Sequence, residues 1–459
     1  MFYTPLQCGT RAETSLAQIL GAFSYALDLT EGQPAGHSVR SCWIGSQIGI
    51  AIGLTPVQRH QLYYTLLLKD LGCSSNAARI CELYQADDRA FKQGYKTVGT
   101  SLAATLHFVF SRTAVSRPWQ SRVSAVSKIL RNGDAIAQDL IVTRCTRGAD
   151  IARSLRFPEP VSEGIYSLDE HWDGSGRPNR LRGHAIPLFS RIALLAQIVD
   201  VFYQHAGAQA ALDEIARRSG SWLDPELVTV ALRLGAEKSF WSDLASPFLE
   251  AKLTALAPPD HELVVDDEYL DDIAAAFGSV IDAKSPFTSG HSTRVAALSS
   301  GLAKEMGMLE PRRRWLHRAA LLHDVGKLGV SNAILDKPAG LNEKEWAEMR
   351  DHAVHTRAIL DRIGALSNIS SVAASHHERL DGRGYPLGLM DKEINRETRL
   401  ITTCDFYDAL TADRPYRAAM GREAALEIMG AEVGGGLDHE CFEALISVVQ
   451  GTDRAETDR

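Results

Sequence analysis

At 459 residues, with 45% apolar and 23% charged side chains, the chain has the composition of soluble globular protein and room for two or three domains. Its net charge of −8 excludes the broad basic field that nucleic-acid binding requires. Seven scattered cysteines without a C-x-x-C pair exclude a disulfide framework, and no apolar run approaches the ~20 residues of a membrane helix, so a cytoplasmic setting is expected.

In chain order, the opening residues MFYTPLQCGTRAETS lack the basic and apolar regions of a secretory leader. GHSVR at Gly36–Arg40 and LYYTLLLKDLG ending at Gly72 then begin a plan that the chain repeats. They return, displaced by 254 positions, as GHSTR at Gly290–Arg294 and LHRAALLHDVG ending at Gly326. LDEHWDGSGRP (Leu168–Pro178) returns as HHERLDGRGYP (His376–Pro386), and here Asp173 and Asp381, Arg191 and Arg399, and Asp200 and Asp408 are displaced by 208. The first copy therefore holds 46 more residues between Asp70 and Asp173. Both copies close alike, on SWLDPELVTVAL and GGLDHECFEALI. This order predicts tandem domains, 1–254 and 262–452, divided near ALAPPDHELVVDD at 255–267, where two prolines and four acidic residues interrupt helical periodicity.

The periodicity is helical throughout. Val295, Leu298, Leu302 and Met306 recur at helical spacing, and Asn342 with Glu345 forms a capping box ahead of Trp346, Met349 and Ala353. No strand-like alternation persists, so the predicted fold is all-α.

Seven of the fifteen histidines fall between His291 and His377. His323-Asp324 follows the apolar run AALL and reads as part of a buried helix; alone, it is an ordinary buried polar pair. His376-His377 lies between an apolar run and a Gly-rich turn. His291, His352 and Asp405 each lie beside helical patterns, and Asp405 sits in a stretch where a lone carboxylate is costly to bury. Together, His291, His323, Asp324, His352, His376, His377 and Asp405 offer five imidazoles and two carboxylates. Two divalent ions bridged by Asp324 would each draw three or four of these ligands. Mixed nitrogen and oxygen donors without thiolate suit iron or manganese better than calcium or magnesium. Such a pair activates water and stabilises both oxygens of a phosphoryl displacement. Lys327 follows Asp324 by three residues and is expected on the same helix face.

GHSTRVA, LLHDVGKLGV, MRDHAVH, HHERLDGRGYP and RLITTCDFYDALTADRPYR, in that order over roughly 270–450, resemble the HD-GYP family of HD-domain metal phosphohydrolases. The resemblance implies hydrolysis of cyclic di-GMP to pGpG or GMP, or of a hybrid cyclic GMP-AMP. It implies that the seven residues above bind metal. It also implies that Lys327, Arg414 and Arg417 contact substrate phosphate, with Asp324 and Lys327 at the chemical step. Tyr385 of the turn is expected to face the site or a partner. Phe287 stands where some members place a third-metal glutamate, which favours two ions. His355, close to His352, is a further candidate.

The first copy keeps His37 and Asp70 but has Lys69, Leu168-Asp169, Gln197, Cys73 and Arg177 where the second has His323, His376-His377, Asp405, Lys327 and Tyr385. Lys69 is expected to pair with Asp70 where a metal belongs. Glu170, Asp173, Gly174, Gly176, Pro178 and Arg191 keep the frame. This reads as a degenerate copy suited to dimerisation, regulation or a signalling partner. His107 and His171 are weak substitutes for the missing ligands. The competing readings are an HD phosphohydrolase of another nucleotide and a low-turnover nucleotide-signalling scaffold.

Overall fold

A computed structural model describes residues 15–96, 102–114, 119–256 and 265–457. The opening stretch up to residue 14 and the 257–264 part of the expected domain boundary lie outside these residues. Among the described residues every element is helical, in agreement with the all-α expectation.

The first half comprises α1 (Leu16–Thr30), α2 (His37–Ala51), α3 (Pro56–Leu68), α4 (Ala77–Tyr84), α5 (Asp88–Lys96), α6 (Leu102–Arg112), α7 (Trp119–Ser154), α8 (Glu159–Tyr166), α9 (Leu188–Arg218), α10 (Pro225–Gly235), α11 (Lys238–Leu244) and α12 (Leu249–Leu256). The second comprises α13 (Asp267–Asp282), α14 (His291–Glu305), α15 (Glu310–Leu322), α16 (Asn332–Leu335), α17 (Glu343–Leu360), α18 (Ser367–Ala374), α19 (Arg396–Thr411), α20 (Arg422–Glu432) and α21 (His439–Thr457). The helix starts follow local chemistry. Ser15, Thr55 and Asn342 form reciprocal capping boxes with Gln18, Gln58 and Glu345, which satisfies otherwise orphaned N–H groups.

The halves share one continuous apolar core. Phe23 of α1 and Phe277 of α13, which are 254 positions apart, stack on each other with centroids 3.6 Å apart and planes 11° apart. Such a pair adds about 0.5–1.5 kcal/mol beyond the area it buries. Each of these helices also packs on the other half: α1 meets Val325–Gly329 and α17, and α13 meets α7. The Tyr269 hydroxyl donates to the Leu155 carbonyl (2.7 Å). The extra segment of the first copy builds its own small cluster from Ile80, Phe91 and Phe108. It also reaches across to the second half, where Asp88 accepts from the Asn332 amide (2.9 Å) and Arg89 donates to the Gly329 carbonyl.

Candidate metal centre

Three helix ends and two helix interiors bring the histidines and Asp405 together. α14 opens at His291, one residue after Gly290 in the left-handed region (φ 70°). α15 ends at Leu322, so His323 is its cap and Asp324 leads into a 3-10 turn over Val325–Gly329. The expectation that Lys327 shares a continuous helix face with this pair is therefore corrected. The chain must turn there because α17 crosses it: a Cβ on Gly326 would lie 1.9 Å from the His352 carbonyl oxygen. Thr356 ties the crossing, accepting from the Gly326 amide and donating to the His323 carbonyl, both at 3.0 Å. His352 faces inward from α17, His376 and His377 follow α18, and Asp405 comes from α19.

Three imidazoles are fixed the same way. Nδ1 of His323, His352 and His376 donates to the carbonyl three residues earlier, at 2.7, 2.6 and 2.6 Å. A ring that gives its Nδ1 proton away turns a lone pair on Nε2 toward the centre. His291 does the same through Asp408, 2.7 Å from its Nδ1, and Arg294 holds Asp408 in turn. Asp324 Oδ2 lies 3.3 Å from Nε2 of both His291 and His323, and Oδ1 lies 3.6 Å from Nε2 of both His352 and His376. One carboxylate thus faces two pairs of histidines, one oxygen to each. Asp405 Oδ1 stands 3.4 Å from His291 Nε2, and its Oδ2 stands 3.9 Å from His377.

These donors fit a pair of divalent ions. Asp324 Oδ1 is buried without a hydrogen-bond donor. The Nε2 atoms of His352 and His376 face each other at 3.4 Å, acceptor toward acceptor, and those of His291 and His323 converge at 3.3 Å. Burial lowers His352 to about 4 and His376 to about 3, and carries His377 well below its ordinary value, so these rings stay neutral as metal ligands must. At His291 burial is overcome by hydrogen bonds to Asp324 and Asp408, which raise it to about 9. Burial alone would raise Asp324; Lys327 and the imidazoles hold it well below the usual carboxylate range. The arrangement attracts positive charge, to which Lys327 contributes with an ammonium 2.6 Å from Asp324 Oδ2. His291, His323 and Asp324 form one cluster of converging ligand atoms, His352, His376 and His377 a second, and His323, His376 and Asp405 span them.

Tyr385 sits over the outer edge, its ring 4.7 Å from that of His377. The turn carrying it is held by buried Glu378, which accepts from the amides of Leu387 (2.7 Å) and Leu389 (2.8 Å). Arg414 and Arg417 close a tight loop after α19. Arg417 donates to the carbonyls of Ala409, Leu410 and Ala418, so its guanidinium braces that loop. The Arg414 side chain makes only a long contact to the Ala409 carbonyl (3.5 Å) among the described residues. His355 faces away from the ligand clusters, 3.0 Å from the position a Cβ on Gly329 would take. Phe287 lines a cleft of about 1380 Å³ between the halves.

In the first half the same backbone holds different side chains. His37 meets Asp200 at 2.6 Å, as His291 meets Asp408. Lys69 pairs with Asp70, as expected, and also stands 3.1 Å from His37 Nε2. Arg144, which sequence reasoning missed, pairs with Asp169. A Cβ on Gly72 would lie 1.9 Å from the Arg144 carbonyl, the contact that Gly326 makes with His352. Arg144 is thus the counterpart of His352, and the 208-residue displacement extended upstream points to it. Glu31, Asp70 and Cys73 also converge, but Glu31 already holds Lys96 (2.8 Å) and Lys92 (3.3 Å). His171 stacks on Trp222 (4.1 Å) and its Nδ1 lies 3.0 Å from the Ser175 hydroxyl, so it is engaged in its own turn.

The HD domain family matches this sequence over residues 124–227 and 276–440, one stretch in each half. The chain belongs to the HD-GYP family of HD-domain phosphohydrolases. It is 51% identical over 430 residues to the 3'3'-cGAMP-specific phosphodiesterase 3 of Vibrio cholerae, covering 94% of each chain. A cyclic di-GMP phosphodiesterase of Pseudomonas aeruginosa is 38% identical over 164 residues, 36% of this chain and 39% of that protein. A crystal structure of a cyclic GMP-AMP specific phosphodiesterase from V. cholerae superposes with a TM-score of 0.65 at 46% identity, covering 95% of this HD-GYP chain and 97% of the other. No helix among the described residues is long and apolar enough to cross a membrane.

Proposed function

We propose that the chain is a metal-dependent phosphodiesterase that opens a cyclic dinucleotide, with hybrid 3'3'-cyclic GMP-AMP preferred to cyclic di-GMP. The observation that carries the chemistry is Asp324, whose two oxygens face two histidine pairs, three rings turned inward by backbone carbonyls and His291 by Asp408. The substrate preference rests on the cGAMP-specific relative that matches nearly end to end, whereas the P. aeruginosa cyclic di-GMP relative matches over about a third of this chain.

His291, His323, Asp324, His352, His376, His377 and Asp405 would hold two ions, iron or manganese by their mixed donors. Bound there, the ions supply a nucleophile from water at neutral pH and neutralise charge on the phosphate. Water adds its oxygen to phosphorus and the bond from phosphorus to the ribose 3'-oxygen breaks. The 3'-oxygen takes a proton, leaving a linear dinucleotide with a 5'-phosphate. Lys327, with its side chain only 15% exposed and anchored by Asp324, is placed to donate to a phosphate oxygen. Arg414 has donors to spare for a phosphate, while Arg417 fixes the loop that presents it. Tyr385 shields the outer ligands from bulk water.

The test is purification under reducing conditions with iron or manganese, followed by metal analysis and product analysis on cyclic GMP-AMP and cyclic di-GMP. The expected result is about two ions per chain, turnover of both substrates favouring the hybrid, and neither metal nor turnover in Asp324→Ala. A metal-loaded protein that cleaves neither dinucleotide rules the proposal out.

A further inference from the structure

Arg350 of α17 stands outside the metal ligands with no assigned task. Its guanidinium lies 5.6 Å from the centroid of the Tyr385 ring and 5.8 Å from that of Trp346, one helical turn earlier. Both distances are within cation–π range, so the two rings restrain where the charge sits. Among the described residues its recorded side-chain contacts are these two rings, with no hydrogen-bond or ion-pair partner, which leaves its N–H donors uncommitted. Tyr385 connects it to the centre, its ring 4.7 Å from that of His377 and 6.1 Å from that of His352. Trp346 beside it is 45% exposed, a large aromatic surface left in solvent at the lip of the site.

We infer that Trp346 and Arg350 form a purine subsite, in which Trp346 stacks on the base and Arg350 reads the O6 and N7 acceptors of guanine. This deepens the proposed function and rests on it. A guanidinium offers two parallel donors matched to the two acceptors of guanine, whereas adenine presents a donor at position 6 and disrupts the pair. An exposed indole accepts either purine, because every base has a stacking face. Selection of base is thereby separated from chemistry: Arg350 touches neither the reacting phosphorus nor the ligands, and it acts on which base is held while a phosphate lies over the centre.

The test measures kcat and KM of the full, manganese-loaded chain on cyclic di-GMP, cyclic GMP-AMP and cyclic di-AMP. Arg350→Ala is expected to raise KM for the guanine-containing substrates about ten-fold and to reduce the preference for cyclic di-GMP over cyclic di-AMP by a similar factor. Arg350→Lys keeps the charge but not the planar fork, and is expected not to restore the preference. Trp346→Ala is expected to raise KM for all three substrates alike. An unchanged guanine preference in Arg350→Ala, or an equal fall in kcat on all three substrates, overturns the subsite. Affinities of the metal-loaded wild type and Arg350→Ala for GMP and AMP give the same comparison without turnover. If the wild type cleaves no cyclic dinucleotide yet binds GMP in preference to AMP through Arg350, the proposed function fails and the subsite stands.

Discussion

In the second half, three imidazoles donate backward to carbonyls and turn lone pairs toward a carboxylate that faces them with both oxygens. At the counterparts of those three rings the first half has Lys69, Arg144 and Leu168. Lys69 and Arg144 bring their own positive charge to Asp70 and Asp169, and Lys92 and Lys96 from the extra segment bring theirs to Glu31. Around both centres the frame is the same. Asp28 accepts from Ser38 as Asp282 does from Ser292, and Glu170 holds its turn by two amides as Glu378 does. The difference teaches that buried carboxylates at the middle of this fold are answered by side-chain cations in the first half, whereas the second half turns imidazole lone pairs toward its carboxylate and would leave the charge to the proposed ions.

The sharpest way to break that comparison is to remove the central carboxylate on each side. Asp324→Ala is expected to lower turnover by on the order of 10²–10³-fold or more and to abolish metal binding. Asp70→Ala is expected to keep the wild-type metal content and turnover within about three-fold. Its effect falls on stability instead, about 3–5 kcal/mol in urea unfolding, because Lys69 is left buried and unpaired. If Asp70→Ala halves the metal content, the first half holds metal after all and the two centres do not differ in this way.

A second pair of variants tests the shared frame. In each half a glycine lets the chain cross under a long helix, with a Cβ position 1.9 Å from a carbonyl oxygen. Backbone on both sides cannot yield to that overlap. Gly72→Ala and Gly326→Ala are therefore each expected to destabilise by about 3 kcal/mol or more. A mild effect in the first half alone, read by thermal unfolding, would mean that the degenerate copy has relaxed its frame.

Much of this was legible in the sequence, and the rest was hidden for identifiable reasons. The candidate ligands sit in ordered motifs, and their helices meet where helical periodicity and the repeat put them. Lys69 was recognisable because it occupies the HD position next to Asp70. Arg144 was not, because it lies just past the extra segment, where no motif marks the change of displacement. Lys92 and Lys96 meet Glu31 only through tertiary packing of α5, some sixty residues away in sequence. Nothing in LLHDVGK announces that the helix stops before His323; the stop is imposed by α17 crossing over Gly326. Arg417 reads as a phosphate ligand by motif, yet its donors go to two carbonyls at the end of α19 and one of its own loop.

The extra segment also offers a smaller test of how the halves are joined. Asp88 is fully buried, accepts from the Asn332 amide and lies 3.9 Å from the buried ammonium of Lys284. Asp88→Ala removes the acceptor and leaves both donors unmatched, for an expected loss of about 2–3 kcal/mol. Hydrogen exchange should show faster opening at 329–335 and unchanged protection in α9. Uniform loss of protection across both halves would show that the contact supports the whole core and is no local latch.

The smallest effect separates frame from centre by pH. Asp28, a frame carboxylate, is raised from 3.8 to about 6, chiefly by burial, and its counterpart Asp282 is raised by the same cause. A carboxyl that binds its proton more tightly when folded lends stability at low pH, and that stability is lost as pH rises from about 4 through 6. Asp70, at the filled centre, goes the other way: burial alone would raise it, but Lys69 carries it down to about 2. Its contribution is present above about 4 and is lost as pH falls toward 2, about 2 kcal/mol in all. In urea unfolding, the deficit of Asp70→Asn relative to wild type should therefore be full at pH 7 and shrink as pH is lowered from 4 toward 2. Asp28→Asn should instead flatten the decline in stability between pH 4 and 6. A deficit for Asp70→Asn that does not change with pH would mean that Lys69 does not hold Asp70 ionised, and the ion pair would then not be what fills the first centre.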